Sequence, residues 1–280
     1  MGDAADVAYP GGKNGAGVYQ RLINLMPPHR VYIEPFLGGG AIMRLKRAAP
    51  LSIGLDLDLE ALAMAMPPEG SSRIAMRDRA PSDSVIAAEI ARIGDGGSAT
   101  IRIDDGGSSI FIHGDGIRFL EAYPFRGNEL VYCDPPYMME TRSGRRLYAH
   151  ELSEGGHRRF LRVVMGIAER TKIMISGYYS ALYGKMLEAP IWQTVSFEAM
   201  TRGGRTATEW LWFNFDPPKE LHDYRYLGQN FRERERIKRK KARWTARLAR
   251  MEPLERAALM LAMQHSNADS DANSSFTIKP

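Results

Sequence analysis

The sequence predicts a doubly wound α/β domain, on three observations. A short apolar strand, Val31-Tyr32-Ile33, runs into the glycine-rich stretch Glu34-Pro35-Phe36-Leu37-Gly38-Gly39-Gly40. A helical pattern (41–49) and a second apolar strand, Leu51 to Leu55, follow and end on Asp56. The same alternation of strand and helix resumes after Gly114-Asp115. Strands alternating with helices at this spacing are the signature of βαβ units.

Each element has its own signal. Val18, Leu22, Ile23 and Leu25/Met26 fall at helical spacing, and Pro27-Pro28 stops that helix. A helix is expected at 84–93. Two similar decads, DGGSATIRID (95–104) and DGGSSIFIHG (105–114), each pair a glycine turn with alternating residues and predict a β-hairpin. Leu130 to Cys133 reads as a strand ending at Asp134-Pro135-Pro136-Tyr137. A helix over 154–170, a strand over 172–176, a helix over 180–187 and strands over 191–197 and 209–215 complete the domain, the last two flanking a glycine-rich turn at 201–206.

Composition bounds the function. The chain has 280 residues, 44% hydrophobic and 25% charged, which excludes a disordered chain, a collagen-like repeat and a disulfide mini-protein. The single cysteine, Cys133, allows neither an intrachain disulfide nor a thiolate cluster. The six histidines never fall at metal-ligand spacing, so no metal is expected. No signal peptide opens the sequence, and no run of 18 apolar residues occurs. A protein of a reducing cytoplasm, without a membrane partner, is the expectation.

The net charge of +5 is unevenly spread. Residues 231–250 hold ten Lys or Arg against Glu233 and Glu235, a local charge of +8 that leaves the remainder at −3. This basic helix, with Lys238, Arg239, Lys240 and Lys241 at its centre, predicts contact with nucleic-acid phosphate. A second short helix is expected at 253–263, so that 229–264 forms a basic helical appendage and 265–280 a disordered tail.

Neither glycine–lysine pair is a phosphate loop, because Lys13 precedes Asn14 and Lys185 precedes Met186 where Ser or Thr is needed. Gly38-x-Gly40 lacks the third glycine of the dinucleotide fingerprint, yet still lets backbone approach a ligand. Asp56, at the end of the next strand, is placed to accept hydrogen bonds from ribose hydroxyls, or to cap the helix that follows. Asp134 to Tyr137 is the most specific signal. Two prolines remove N–H donors and stiffen the turn, Asp134 adds a carboxylate acceptor, and Tyr137 adds an aromatic face. That set suits a planar base bearing an exocyclic amine.

The ordered series YPGGK (9–13), EPFLGGG (34–40), GLD (54–56), GD (114–115) and CDPPY (133–137) resembles the Dam-like DNA adenine amino-methyltransferases in their alpha arrangement, over roughly residues 8–215. The resemblance implies a Rossmann-like S-adenosylmethionine-dependent methyltransferase fold with a mixed, mostly parallel sheet. It implies S-adenosylmethionine as methyl donor, S-adenosylhomocysteine as product, and an adenine flipped out of double-stranded DNA. By the same resemblance Tyr9, Pro10, Gly11, Gly12 and Lys13 approach the methionine end of the cofactor. Glu34, Pro35, Phe36, Gly38, Gly39 and Gly40 form the cofactor loop, Asp56 takes the ribose, and Asp115 meets the adenine. Asp134, Pro135, Pro136 and Tyr137 hold the target amine, with Tyr137 stacked on the base and Asp134 also beside the cofactor.

The chain departs from that family's pattern between Asp56 and Asp134. The target-recognition region expected there is short, and 60–113 is read as a small insert between the catalytic segments 1–59 and 114–228. Its hairpin offers only Arg102 as a base. Arg142, Arg145 and Arg146 after the motif, and Arg202 and Arg205 in the later turn, are therefore expected to share in DNA contact. Methylation of a cytosine amine, of RNA or of a protein glutamine, and a vestigial methyltransferase domain that only binds DNA, are the alternatives.

Overall fold

The computed structural model describes residues 13, 15, 17–66, 99–104, 107–142, 148–200 and 206–274. The chain divides into two units, Met1–Tyr226 and Leu227–Pro280.

The first unit is built on one eight-stranded sheet. In chain order the strands are β1 (Val31–Glu34), β2 (Leu51–Asp56), β3 (Ala99–Asp104), β4 (Gly107–His113), β5 (Glu129–Cys133), β6 (Lys172–Gly177), β7 (Gln193–Met200) and β8 (Thr206–Phe213). Their spatial order is β3-β4-β2-β1-β5-β6-β8-β7. The five central strands, from β4 across to β6, run parallel; β3 runs antiparallel to β4 at one edge, β8 antiparallel to β6 at the other, and β7 pairs antiparallel with β8. The sheet is thus mixed and mostly parallel, in the Rossmann-like manner that the resemblance implies.

Strand alternation sorts the side chains into two cores. Ile33, Ile53, Leu55, Ile110, Ile112, Val131, Cys133, Ile173 and Ile175 belong to one. There they meet Ile117 and Phe119 of helix α4 (Gly116–Ala122) and Phe160, Leu161 and Val164 of α5 (Glu154–Ile167). Tyr32, Phe111, Leu130, Tyr132 and Met174 belong to the other. They pack with Leu22 and Ile23 of α1 (Val18–Ile23), Ile42 of α2 (Ala41–Leu45) and Leu62 of α3 (Leu59–Ala65). Strands buried on both faces read as continuous apolar runs, which is why β5 and β6 are legible. Helix α6 (Ala181–Met186) adds Tyr183 to the first core.

The hairpin requires a correction. β4 pairs in parallel with β2 from Leu51↔Ser108 to Asp56↔His113, so the hairpin extends the one sheet of this unit and is no separate insert. Alternation and glycine turns reveal a hairpin but not which other strand its edge will meet. The expected helix at 84–93 lies outside the described residues, as does most of the turn at 201–206.

The second unit contains α7 (Phe231–Ala249) and α8 (Pro253–Ser274). The Asn230 side chain caps α7 by accepting from Glu233 N at 3.0 Å. Helix α8 continues to Ser274, past the boundary expected at 263–264 and through the first ten residues of the expected disordered tail. Ala in that stretch favours a helix, Asp, Asn and Ser disfavour it by only a fraction of a kcal/mol each, and a helix already nucleated extends at little cost. Among the described residues no helix is long and apolar enough to cross a membrane.

Candidate active site

Strand order reverses between β1 and β5: β2 and β4 lie on one side of β1, while β5 and β6 lie on the other. In open α/β sheets such a switch point opens a crevice at the carboxyl ends of the strands. A cleft of about 1100 Å³, counted to its open mouth, lies there. Its wall includes Glu34 to Ile42 after β1, Asp56 and Leu57 at the end of β2, Gly114 to Ile117 after β4, and Asp134 and Pro136 after β5. Lys13, Tyr148, His150, Glu151, Leu152, Gly156 and Arg159 complete the lining.

The glycine loop is held against β2. Asp56 Oδ2 accepts from Gly38 N at 2.7 Å and Oδ1 from Asp58 N at 2.9 Å. Asp58 in turn caps α3, so Asp56 braces the loop and is not itself the helix cap. Burial raises the Asp56 pKa and the two N–H donors oppose it. Gly40 sits at φ +62°, and a Cβ there would stand 2.8 Å from Ala65 Cβ. Asp115 caps α4 through Ile117 N at 2.8 Å, and Arg159 approaches its other oxygen at 3.5 Å.

Asp134 is the centre of a polar cluster. Its Oδ1 accepts from Ser176 Oγ at 2.9 Å and pairs with Lys13 Nζ at 2.9 Å. Ser176 also bonds the Tyr132 hydroxyl at 2.8 Å. Lys13 Nζ donates to the Tyr137 hydroxyl, which donates to Glu209 Oε2 at 2.8 Å. Burial disfavours the Lys13 ammonium, but Asp134 and Glu209 outweigh that and hold its pKa above the ordinary lysine value. Burial also pushes Glu34 up to about 8, although the Tyr32 hydroxyl donates to it at 3.0 Å.

Of the residues expected from sequence, the structure gathers Lys13, Glu34, Pro35, Phe36, Gly38, Gly39, Gly40, Asp56, Asp115, Asp134 and Pro136 around one cleft. Tyr9, Pro10, Gly11, Gly12, Arg145, Arg146, Arg202 and Arg205 lie outside the described residues. Pro135 is not part of the lining. Two expectations are corrected. Tyr137 is only 8% exposed and does not line the cleft, because its hydroxyl is tied inward to Glu209 and its ring meets Tyr178 edge-on at 4.6 Å. Arg142 is not presented to a phosphate: its guanidinium grips Glu151 at 3.1 and 2.5 Å, and its side chain is 4% exposed. Lys238, Arg239, Lys240 and Lys241 are exposed on α7 in the second unit.

Sequence reasoning missed Glu209, Ser176, Tyr148, His150, Glu151 and Arg159. Glu209 had a signal, as the single acid in the otherwise apolar end of β8, Glu209-Trp210-Leu211-Trp212-Phe213. Ser176 ends the apolar run of β6, and Tyr148, His150, Glu151 and Arg159 sit in mixed or polar stretches where nothing local distinguishes them. His113 and Cys133, beside the two acidic positions, are ordinary strand residues: His113 bonds Leu57 O at 3.0 Å, and Cys133 is buried in the core. Among the described residues no group of three His, Cys, Asp or Glu could hold a metal.

No family model and no curated protein matches this sequence. Among solved structures, an rRNA methylase from Streptococcus thermophilus matches at 12% identity over 70% of this chain and 93% of that one, with a TM-score of 0.39. A putative methyltransferase from Streptococcus mutans, in complex with SAH, matches at 10% identity over 73% and 99%, with a TM-score of 0.40. A putative RNA methyltransferase from Pyrococcus horikoshii matches at 14% identity over 70% and 78%, with a TM-score of 0.35. At such distances no substrate and no residue role passes from those proteins to this chain.

Proposed function

We propose that the protein is an S-adenosylmethionine-dependent methyltransferase acting on the exocyclic N6 amine of an adenine flipped out of double-stranded DNA. One observation carries this reading: a DPPY turn leaves β5 at the switch point, and its Asp134 faces the cleft bounded by the Gly38–Gly40 loop and Asp56.

The lining fits the cofactor. Each Asp56 oxygen accepts one backbone N–H and keeps lone-pair capacity for a ribose hydroxyl. Phe36 and Leu37 offer apolar surface, and Asp115 stands on the adenine side that the resemblance implies. Carboxylates outnumber cations around the cleft, which favours a ligand bearing a sulfonium and an ammonium. When bound, that cofactor would supply an electrophilic methyl group to the amine nitrogen, with its thioether sulfur as the leaving group and the surplus amine proton passing to solvent.

The chain's own residues then position the amine. Asp134 accepts an N–H hydrogen bond and Ser176 fixes the carboxylate that does so. The two prolines bring no N–H donor of their own to compete. With the amine held by Asp134, the nitrogen lone pair turns towards the methyl donor, so placement rather than acid–base chemistry lowers the barrier. The α7 helix gives a second grip through phosphate charge. Nucleoside mass spectrometry of DNA from a methylation-deficient host expressing the protein tests this. N6-methyladenine is expected, and N4-methylcytosine, methylated RNA or unmodified DNA would each overturn it.

A further inference from the structure

Glu209 does not hold the target amine, yet it is a buried carboxylate inside the Asp134 cluster. Its side chain is 11% exposed and stands 3.9 Å from Lys13 Nζ. The Lys13 ammonium therefore lies between two carboxylates, Asp134 at 2.9 Å and Glu209 at 3.9 Å. The Tyr137 hydroxyl bridges them, accepting from Lys13 and donating to Glu209. Tyr178 closes the cluster by packing against the Tyr137 ring.

Lys13 is paired with the carboxylate that must accept the target amine, so an incoming amine competes with an ammonium for Asp134. The Lys13 side chain is only 7% exposed, and a buried cation that loses its partner is strongly disfavoured. Release from Asp134 needs a second counter-ion within reach. We infer that Glu209 is a positioning residue that takes over the Lys13 ammonium when the target amine engages Asp134. The two separations differ by an ångström, so rotation about the end of the lysine side chain accomplishes the transfer, and no covalent bond changes. This inference rests on the amine-methyltransferase reading of Asp134.

A double-mutant cycle of Glu209→Gln and Lys13→Met, read in both turnover and Tm, tests it. Glu209→Gln should lower kcat by roughly tenfold to a hundredfold and leave cofactor Kd within about twofold. Glu209→Asp, which keeps the charge, should recover part of the rate. In the Lys13→Met background the same Glu209→Gln change should cost much less in kcat and in Tm than in the wild type. Additive losses in either cycle, or full activity of Glu209→Gln, would overturn the inference. Should the wild type methylate no nucleic acid, the functional reading fails instead, and the Tm cycle by itself decides whether Glu209 is the second counter-ion of Lys13.

Discussion

Lys13 Nζ and Asp134 Oδ1 lie 2.9 Å apart, and the Ser176 hydroxyl reaches the same oxygen at 2.9 Å. The cation comes from the glycine-rich stretch before α1 and the carboxylate from the end of β5, 121 positions later in the chain. Their meeting joins the first and last motifs of the ordered series, and it does so at the switch point of the sheet. A lysine in that series reads as a cofactor contact; the structure makes it the counter-ion of Asp134.

Asp56 braces the glycine loop through Oδ2 and the turn after its own strand through Oδ1. Asp56→Ala should therefore weaken cofactor binding by about ten- to a hundredfold, since it removes a charged hydrogen-bond acceptor and frees Gly38 and Asp58 N–H groups together. Calorimetric titration with S-adenosylhomocysteine measures this, and an unchanged Kd would remove Asp56 from the site.

Gly116 packs against the backbone after β1. A Cβ there would lie 1.9 Å from Pro35 O and 2.7 Å from Pro35 C, and main chain cannot yield as a flexible side chain does. Gly116→Ala should destabilise the fold by about 1–3 kcal/mol, lowering Tm by several degrees on a thermal scan. It should also displace Pro35 in the cleft wall.

Much of the fold and the site is legible in the sequence, and the limits are physical. β1, β2, β5 and β6 declare themselves because strands buried on both faces are continuous apolar runs bounded by turn residues. The glycine loop, Asp56 and the DPPY turn are local motifs, and all three reach the cleft. What stays hidden is non-local. Nothing around Gly107–His113 says that β4 will pair with β2, and nothing around Arg142 says that Glu151 will claim its guanidinium. Tyr137 reads as an open aromatic face because its partner Glu209 lies 72 residues away.

Two buried groups make opposite contributions to stability as pH changes. The His29 ring stacks on His222 at 3.8 Å, and burial depresses its pKa to about 2. Below pH 6.5 the unfolded chain takes up a proton that folded His29 refuses, so its contribution is lost as pH falls, by up to about 1.4 kcal/mol per pH unit. Glu34 behaves inversely. Its folded pKa of about 8 exceeds the unfolded 4.5, so its contribution is present below 4.5 and is lost as pH rises towards 8. Glu34→Gln should thus gain on the wild type from pH 5 to 8 in urea denaturation. A difference that stays flat would contradict a protonated Glu34.

Helix α7 concentrates the basic charge. Deleting the chain beyond residue 228 removes ten Lys or Arg in 231–250 and should weaken DNA binding while flattening its dependence on salt, by about one unit of slope for each phosphate no longer neutralised. Fluorescence anisotropy from about 50 to 200 mM salt reads both quantities. Equal affinities and slopes would show that the appendage does not grip phosphate.

The most direct test of the central claim is labelled methyl transfer from S-adenosylmethionine to unmethylated DNA, by the wild type and by Asp134→Ala, with the product nucleosides identified by mass spectrometry. The wild type should yield N6-methyladenine and the variant should lose at least about a thousandfold in turnover, with cofactor binding retained or only weakened. Near-normal turnover by Asp134→Ala, or label in any product other than N6-methyladenine, would contradict it.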